Sequence, residues 1–181
     1  IYGLKDVPNI YRGTLRYKGY CKAWDALIRI GLTDASFPIL DAEELTHHAL
    51  MDAYTSGRSG NSVKERTASL LGEDSTSSEI MEKLEWLGLF RKRKIKINHA
   101  SPALILEELL LKKWKLKEGD KDMVVMQHEF KYELDGQSKL LTSSLIMKGK
   151  NTEDTAMSQL VGLPLGVFTK LLMQGKINSK G

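Results

Sequence analysis

At 181 residues, with 41% hydrophobic and 28% charged side chains, the chain has the size and composition of one ordinary globular domain that buries a core without disulfides or metals. Its net charge of +4 is a mild basic excess, which suits acidic small molecules as readily as nucleic acid. The single cysteine, Cys21, excludes an internal disulfide framework and points to a reducing compartment, with the cytoplasm as the expected location. No apolar run is expected to span a membrane, and no signal peptide is expected at the start of the chain. Ile1 and the closing Asn178-Ser179-Lys180-Gly181 read as points where a piece has been taken from a longer polypeptide.

The first informative stretch is Arg12-Gly13-Thr14-Leu15-Arg16-Tyr17-Lys18-Gly19-Tyr20. Taken as an extended strand, it puts Arg12, Thr14 and Arg16 on one face. Two guanidinium forks and a hydroxyl suit a carboxylate or phosphate; the plainer reading is a surface strand with solvated arginines. Gly13 permits a close backbone approach, and Gly19 breaks the strand before a helix over 18–32. On that helix Tyr20, Trp24, Leu27, Ile28 and Gly31 share a face, and Cys21 beside it reads as a buried, inert thiol.

A second helix is expected over 41–53, with Asp41 as N-cap and Glu44 at the N3 position. Glu44-x-x-His47 is a spacing used in di-metal carboxylate sites, but such sites need the motif twice plus two more carboxylates. It occurs once, so His47 and His48 are expected to be solvated surface residues and no metal site is expected. Residues 54–62 read as a loop, and Gly57-Arg58-Ser59-Gly60-Asn61-Ser62 lacks the Gly-Lys-Ser/Thr ending of a phosphate loop. Helices follow over 63–72 and 76–87. The latter has a Thr76-x-x-Glu79 capping box, a buried stripe of Ile80, Leu84 and Leu87, and Gly88 beyond its end.

Arg91-Lys92-Arg93-Lys94-Ile95-Lys96 is the strongest charge run. It reads either as a phosphate contact or as a solvated turn; without interleaved aromatics no nucleic-acid partner is expected. Ser101-Pro102 opens a helix reaching about residue 117, whose apolar side is Leu106, Leu109, Leu110 and Trp114. Its apolar residues extend around much of the circumference, which suggests burial between a sheet and another layer.

Residues 122–147 read as a long hairpin. A two-residue turn at Asp135-Gly136 sets Phe130 opposite Leu141, His128 opposite Ser143 and Met126 opposite Leu145. His128 then falls on an apolar face, as a hydrogen-bonded core histidine rather than a catalytic one. Residues 152–175 form one kinked helix or two abutting ones around Gly162 and Pro164, with Leu165, Phe168, Leu171 and Leu172 as a second apolar face. The expected fold class is α/β (α+β), a mixed sheet with helices packed on it, as one domain over residues 1–181. No Gly-x-Gly-x-x-Gly follows a strand, and no zinc spacing, Ser-His-Asp order or nucleophile elbow occurs.

The stretch from Arg12 to Tyr20 resembles the RGTLRY-x-G-aromatic segment of the saccharopine dehydrogenases that form glutamate. Glu85-Trp86-Leu87-Gly88-Leu89-Phe90 is similar to the family's W-L-G-hydrophobic helix end. Glu118-Gly119-Asp120-Lys121-Asp122-Met123-Val124-Val125-Met126-Gln127-His128 resembles its E-x-D-M-V-hydrophobic-x-H segment. Thr155-Ala156-Met157-Ser158-Gln159-Leu160-Val161-Gly162-Leu163-Pro164, followed by Gly175-Lys176-Ile177, resembles its S-A-M-A-K-x-V-G-hydrophobic-P helix and the turn after it. Gln159 stands where lysine is usual and Thr155 where serine is usual, and the family's P-N-R-D-S stretch is not in this chain.

The resemblance implies an oxidoreductase of lysine metabolism that interconverts saccharopine with glutamate and aminoadipic semialdehyde using NAD or NADP. A Rossmann domain not present in this chain would bind the cofactor. This chain would be the non-Rossmann substrate-binding and dimerisation domain, inactive by itself. Its implied partners are the substrate, its own Rossmann domain and a second copy in a homodimer. Thr14, Leu15 and Arg16 sit where the family contacts substrate: Arg16 on a carboxylate, Thr14 through hydroxyl or backbone, and Leu15 mainly through its backbone. Arg12 and Tyr17 have supporting roles, and no catalytic, cofactor-binding or metal residue is assigned. The rival reading is a non-enzymatic binding or dimerisation module acting through the 91–96 run.

Overall fold

A computed structural model describes residues 4–177; the expectations attached to Ile1 and to residues 178–181 fall outside them. Its elements are six α-helices and a two-stranded antiparallel sheet, a mixed α/β composition as the sequence pattern implied. Backbone packing separates two units, Arg16–Lys115 and a second made of Ile1–Leu15 with Leu116–Gly181.

The first unit is helical. It contains α1 (Tyr20–Ile30), α2 (His47–Tyr54), α3 (Val63–Leu71), α4 (Glu79–Leu87) and α5 (Pro102–Trp114), with a short 3-10 turn at Ala42–Glu44. Leu27 of α1, Met51 of α2, Leu71 of α3, Leu84 of α4 and Ile105 of α5 belong to one buried apolar cluster. Removing their area from water supplies the driving force for the unit. α1 turns Ala26, Leu27 and Ile30 inward, while Ile28 is exposed. Cys21 is exposed rather than buried, because the inward face lies one residue round from the expected one. Arg29 donates to the carbonyls of Leu71 and Leu70 at 3.0 and 3.2 Å, meeting acceptors that the end of α3 leaves open.

Helix starts are set by hydroxyls. Ser62 and Glu65 close a full capping box on α3. Ser78, not Thr76, caps α4 by accepting from the Met81 amide; Glu79 is therefore in the first helical position, and Met81, Leu84 and Leu87 are buried with Ile80 only partly so. Asp41 adopts a left-handed conformation and caps nothing, whereas Thr46 accepts from the Ala49 amide and starts α2. That shift reverses the expectation for His47, which is 1% exposed. α5 begins at Ser101-Pro102 as expected, but Ile105, Leu106 and Leu109 pack in the helical cluster rather than on a sheet, and Trp114 is exposed.

The second unit holds β1 (Met123–Leu134), β2 (Gln137–Lys148) and α6 (Ala156–Met173). The strands pair with the expected register, Phe130 opposite Leu141, His128 opposite Ser143 and Met126 opposite Leu145. Asp135 and Gly136 both have positive φ, 53° and 70°, which makes a type I′ turn whose twist matches the strands. The expected core under the hairpin is missing among the described residues. Phe130, Leu141 and Leu145 are exposed, and His128 is an exposed side chain stacked on Phe130 at 6.0 Å rather than a core histidine.

α6 is a single helix that carries Pro164 inside it. Read without interruption, it is long and apolar enough by length and composition to cross a membrane, contrary to expectation, and almost none of it is buried. The Asp122 carboxylate fixes its start, accepting from the Ala156 and Met157 amides at 2.7 and 2.9 Å. Those backbone bonds hold the Asp122 carboxyl below its ordinary value of 3.8. Thr155 accepts from the Ser158 amide at 3.0 Å, so threonine caps as the family's serine would. Gly149 donates to the Asp122 carbonyl at 2.9 Å, and a Cβ there would collide with the Asp122 carboxylate and approach the Ala156 nitrogen to 2.9 Å.

Residues 11–17 take no regular secondary structure and are exposed. The expected opening strand does not form because none of these residues pairs with another strand among the described residues.

Replacing Gly149 with alanine is expected to destabilise the second unit by about 2 kcal/mol, as overpacking does. Faster amide exchange at Ala156 and Met157 than in the unsubstituted protein would register it. For Asp122 the folded carboxyl is depressed, so its contribution is present above pH 3.8 and is lost as pH falls through the folded value. Acid titration of the same two amides reads that loss, and Asp122→Asn is expected to abolish its pH dependence.

Candidate functional site

Arg16 is the residue of the 12–20 segment with the clearest structural support. Its guanidinium lies 5.5 Å from the centre of the Tyr20 ring, and Tyr20 stacks on Trp24 with 5.8 Å between centroids and 8° between planes. Tyr20 and Trp24 stack as an i, i+4 pair on α1, and Arg16, in the coil before the helix, sets its guanidinium over the first ring. Such a contact at an exposed site is worth about 0.5–1 kcal/mol. It limits the rotamers of a side chain whose planar fork suits a carboxylate.

The turn before α1 is tight. Tyr20 donates to the Tyr17 carbonyl at 3.1 Å, and Gly19 stands at φ 85°. A Cβ on Gly19 would lie 2.7 Å from Lys83 Nζ and 2.8 Å from Glu79 Oε1, so its backbone approaches the ion pair of those side chains on α4. Lys83 first, then Lys18 and Lys22, hold the Glu79 carboxyl below its ordinary value. Sequence reasoning missed this anchoring and also the Tyr20–Trp24 stack; the i, i+4 spacing of aromatics was the available signal.

Thr14 and Leu15 belong to the other unit, and Arg16 opens the helical one. Thr14, Leu15 and Arg12 are exposed. Within that segment the exposed Tyr11 side chain comes within 3.1–3.4 Å of where a Gly13 Cβ would stand.

The 91–96 run is largely occupied by the fold. The His47 and His48 amides donate to the carbonyls of Arg93 and Arg91, each at 3.0 Å, and the Ile95 amide donates to Leu45 at 3.0 Å. Lys94 reaches the Glu44 carboxylate at 2.7 Å and its carbonyl at 2.9 Å, and Arg93 meets Glu108 at 3.4 Å. Ile95 is buried. The backbone of this segment is therefore a structural staple, while the side chains of Arg91, Lys92, Lys94 and Lys96 are exposed as a solvated run would be.

A cavity of about 320 Å³ is an open groove of the helical unit lined by Cys21, Lys22, Asp25, Arg29 and Glu73 among others; no residue of 12–16 lines it. Among the described residues no three His, Cys, Asp or Glu side chains gather to hold a metal. The described residues do not fit a nicotinamide dinucleotide. That cofactor needs a glycine-rich turn from a parallel strand into a helix N-terminus, whereas the sheet is one antiparallel hairpin.

The family model described as "Saccharopine dehydrogenase C-terminal domain" matches residues 1–181. The alpha-aminoadipic semialdehyde synthase, mitochondrial, of Bos taurus is 35% identical over 188 residues, spanning 100% of this chain and 20% of that protein. The saccharopine dehydrogenase [NADP(+), L-glutamate-forming] of Saccharomyces cerevisiae is 29% identical over 190 residues, 100% of this chain and 42% of that protein. The enzyme of the same name from Schizosaccharomyces pombe is 28% identical over 189 residues, 99% and 42%. The chain thus spans about a fifth of the mammalian relatives and about two fifths of the fungal ones.

Because an L-residue at φ 85° is strained, Gly19→Ala is expected to cost about 1–2 kcal/mol of stability. A chemical-denaturation midpoint lowered without change in slope would show it.

Proposed function

The chain belongs to the saccharopine dehydrogenase C-terminal domain family, and on that premise we propose that it is the substrate-binding and dimerisation domain of an enzyme interconverting saccharopine with glutamate and aminoadipic semialdehyde. NAD or NADP would be held by a Rossmann domain outside this chain. The fungal relatives' names, which specify NADP(+), favour NADP. The observation that carries the site is the Arg16 guanidinium braced on Tyr20 within a segment matching the family's motif. Saccharopine offers three carboxylates, and a braced, planar cation grips one bidentately. Thr14 supplies a hydroxyl and Leu15 a backbone contact to the same substrate.

A homodimer belongs to the same proposal. It is supported by the apolar side chains that β1, β2 and α6 leave exposed, among them Leu141, Ile146, Val161 and Phe168. Ser158, Gln159 and Lys170 on α6 favour a protein cover over lipid. Cytoplasmic residence is likewise proposed, on the single cysteine, and cell fractionation tests it. The mammalian relatives, by contrast, are named mitochondrial.

Saccharopine oxidation by the full-length parent, assayed with NAD and with NADP separately, tests the function. In the parent, Arg16→Ala is expected to weaken saccharopine binding by about 1.5–3 kcal/mol, the scale of a charged hydrogen-bond partner, or roughly ten- to hundred-fold in KM. An active parent with an unaffected variant removes Arg16 from the site. A parent inactive with both cofactors overturns the function.

A further inference from the structure

His47 is the most deeply buried ionisable side chain whose chemistry the fold does not use. It is 1% exposed, and neither ring nitrogen has a hydrogen-bond partner among the described residues. Every imidazole carries at least one N–H donor, and leaving it unmet inside a protein is costly. The ring does not face a solid wall. It lines a small cleft with Leu109, Lys112 and Lys113 of α5 and with Arg91 and Arg93 of the staple. The cleft has about 30 Å³ of room, more than the roughly 10–15 Å³ that one water needs.

The charges around this space are lopsided. Arg91, Arg93, Lys112 and Lys113 are all cations, and the facing carboxylate is Glu108, which touches Arg93 at 3.4 Å and keeps its Oε2 buried without a partner. Lys113 also lies over the Trp86 ring at 4.5 Å, which fixes its position at the rim. Backbone amides of His47 and His48 are already taken by Arg93 and Arg91, so the donor left at the start of α2 is the imidazole itself.

We propose that this cleft is an oxyanion site that admits one edge of inorganic phosphate or of a small carboxylate, with Arg91 and Lys112 supplying charge and His47 a buried hydrogen bond. The site is independent of the reaction proposed above, since no residue of the 12–20 segment lines it. Cations flanking a buried donor favour an anion over water, because the field of the four side chains acts in a space partly closed to solvent.

Isothermal titration of the intact parent protein at low ionic strength, with inorganic phosphate and separately with acetate, tests the site. Millimolar binding of one or both is expected, and the tighter of the two identifies the source of the oxyanion. Arg91 and Lys112 are exposed, so the double variant Arg91→Ala/Lys112→Ala should keep its circular dichroism while losing about ten-fold or more in affinity. A phosphate-dependent rise in melting temperature should vanish in the same variant. Binding that the double variant leaves unchanged puts the anion elsewhere and overturns the proposal. Failure of both anions to bind also overturns it, leaving the cleft to water bridging His47 and Glu108.

Discussion

The helical unit depends on one backbone staple. Thr46 and Lys94 pair as an isolated antiparallel bridge, and the amides of His47, His48 and Ile95 find acceptors across it. The first amides of a helix have no partner within the helix, and here a segment nearly fifty residues downstream in the sequence supplies carbonyls for them. The same contact drives Ile95 into the core and sets His47 beneath α5's basic end. It also places Arg93 against Glu108 and Lys94 against Glu44. A run that looks like free positive charge is thereby made part of the architecture, and its exposed side chains become the walls of a cleft.

What the sequence revealed and what it hid divide along the reach of the interactions. The hairpin was legible down to its register, because Asp135-Gly136 specifies a two-residue turn and the pairing then follows by counting. The Ser101-Pro102 start and the Gly88 and Gly175 ends were legible for the same local reason. The start of α4 was off by two residues because Ser75, Thr76, Ser77 and Ser78 all offer capping oxygens, and only packing chooses among them. His47 was misjudged because its burial comes from residues 91–113, which no local pattern around it announces. His128 was misjudged in the opposite direction: alternation identifies a face but does not say what covers it.

The candidate site was legible in its residues and not in its shape. Arg12, Thr14 and Arg16 were read as one face of a strand, yet residues 11–17 pair with no strand among the described residues, so alternation gives them no shared face. What braces Arg16 is instead the Tyr20 ring that its guanidinium lies against, with Trp24 stacked behind that ring. In this chain the aromatic after the second glycine, Tyr20, is thus the surface on which the arginine rests. Gly19 permits the turn that brings the two together, and the Glu79–Lys83 pair closes over it.

The hairpin's pairings are all local in sequence, from Leu134 with Gln137 at the turn to Met123 with Lys148 at the far end. Closing such short loops costs little entropy, so the arm can zip without waiting for the staple between residues 46 and 94. Yet a lone two-stranded hairpin is marginal in water, and this one has an apolar outer surface with α6 as its only helical companion in the unit among the described residues. Its persistence is then a matter of mass action. Any surface that covers it adds stability in proportion to the logarithm of that surface's concentration, so the order of the arm reports how much of the protein has found its cover.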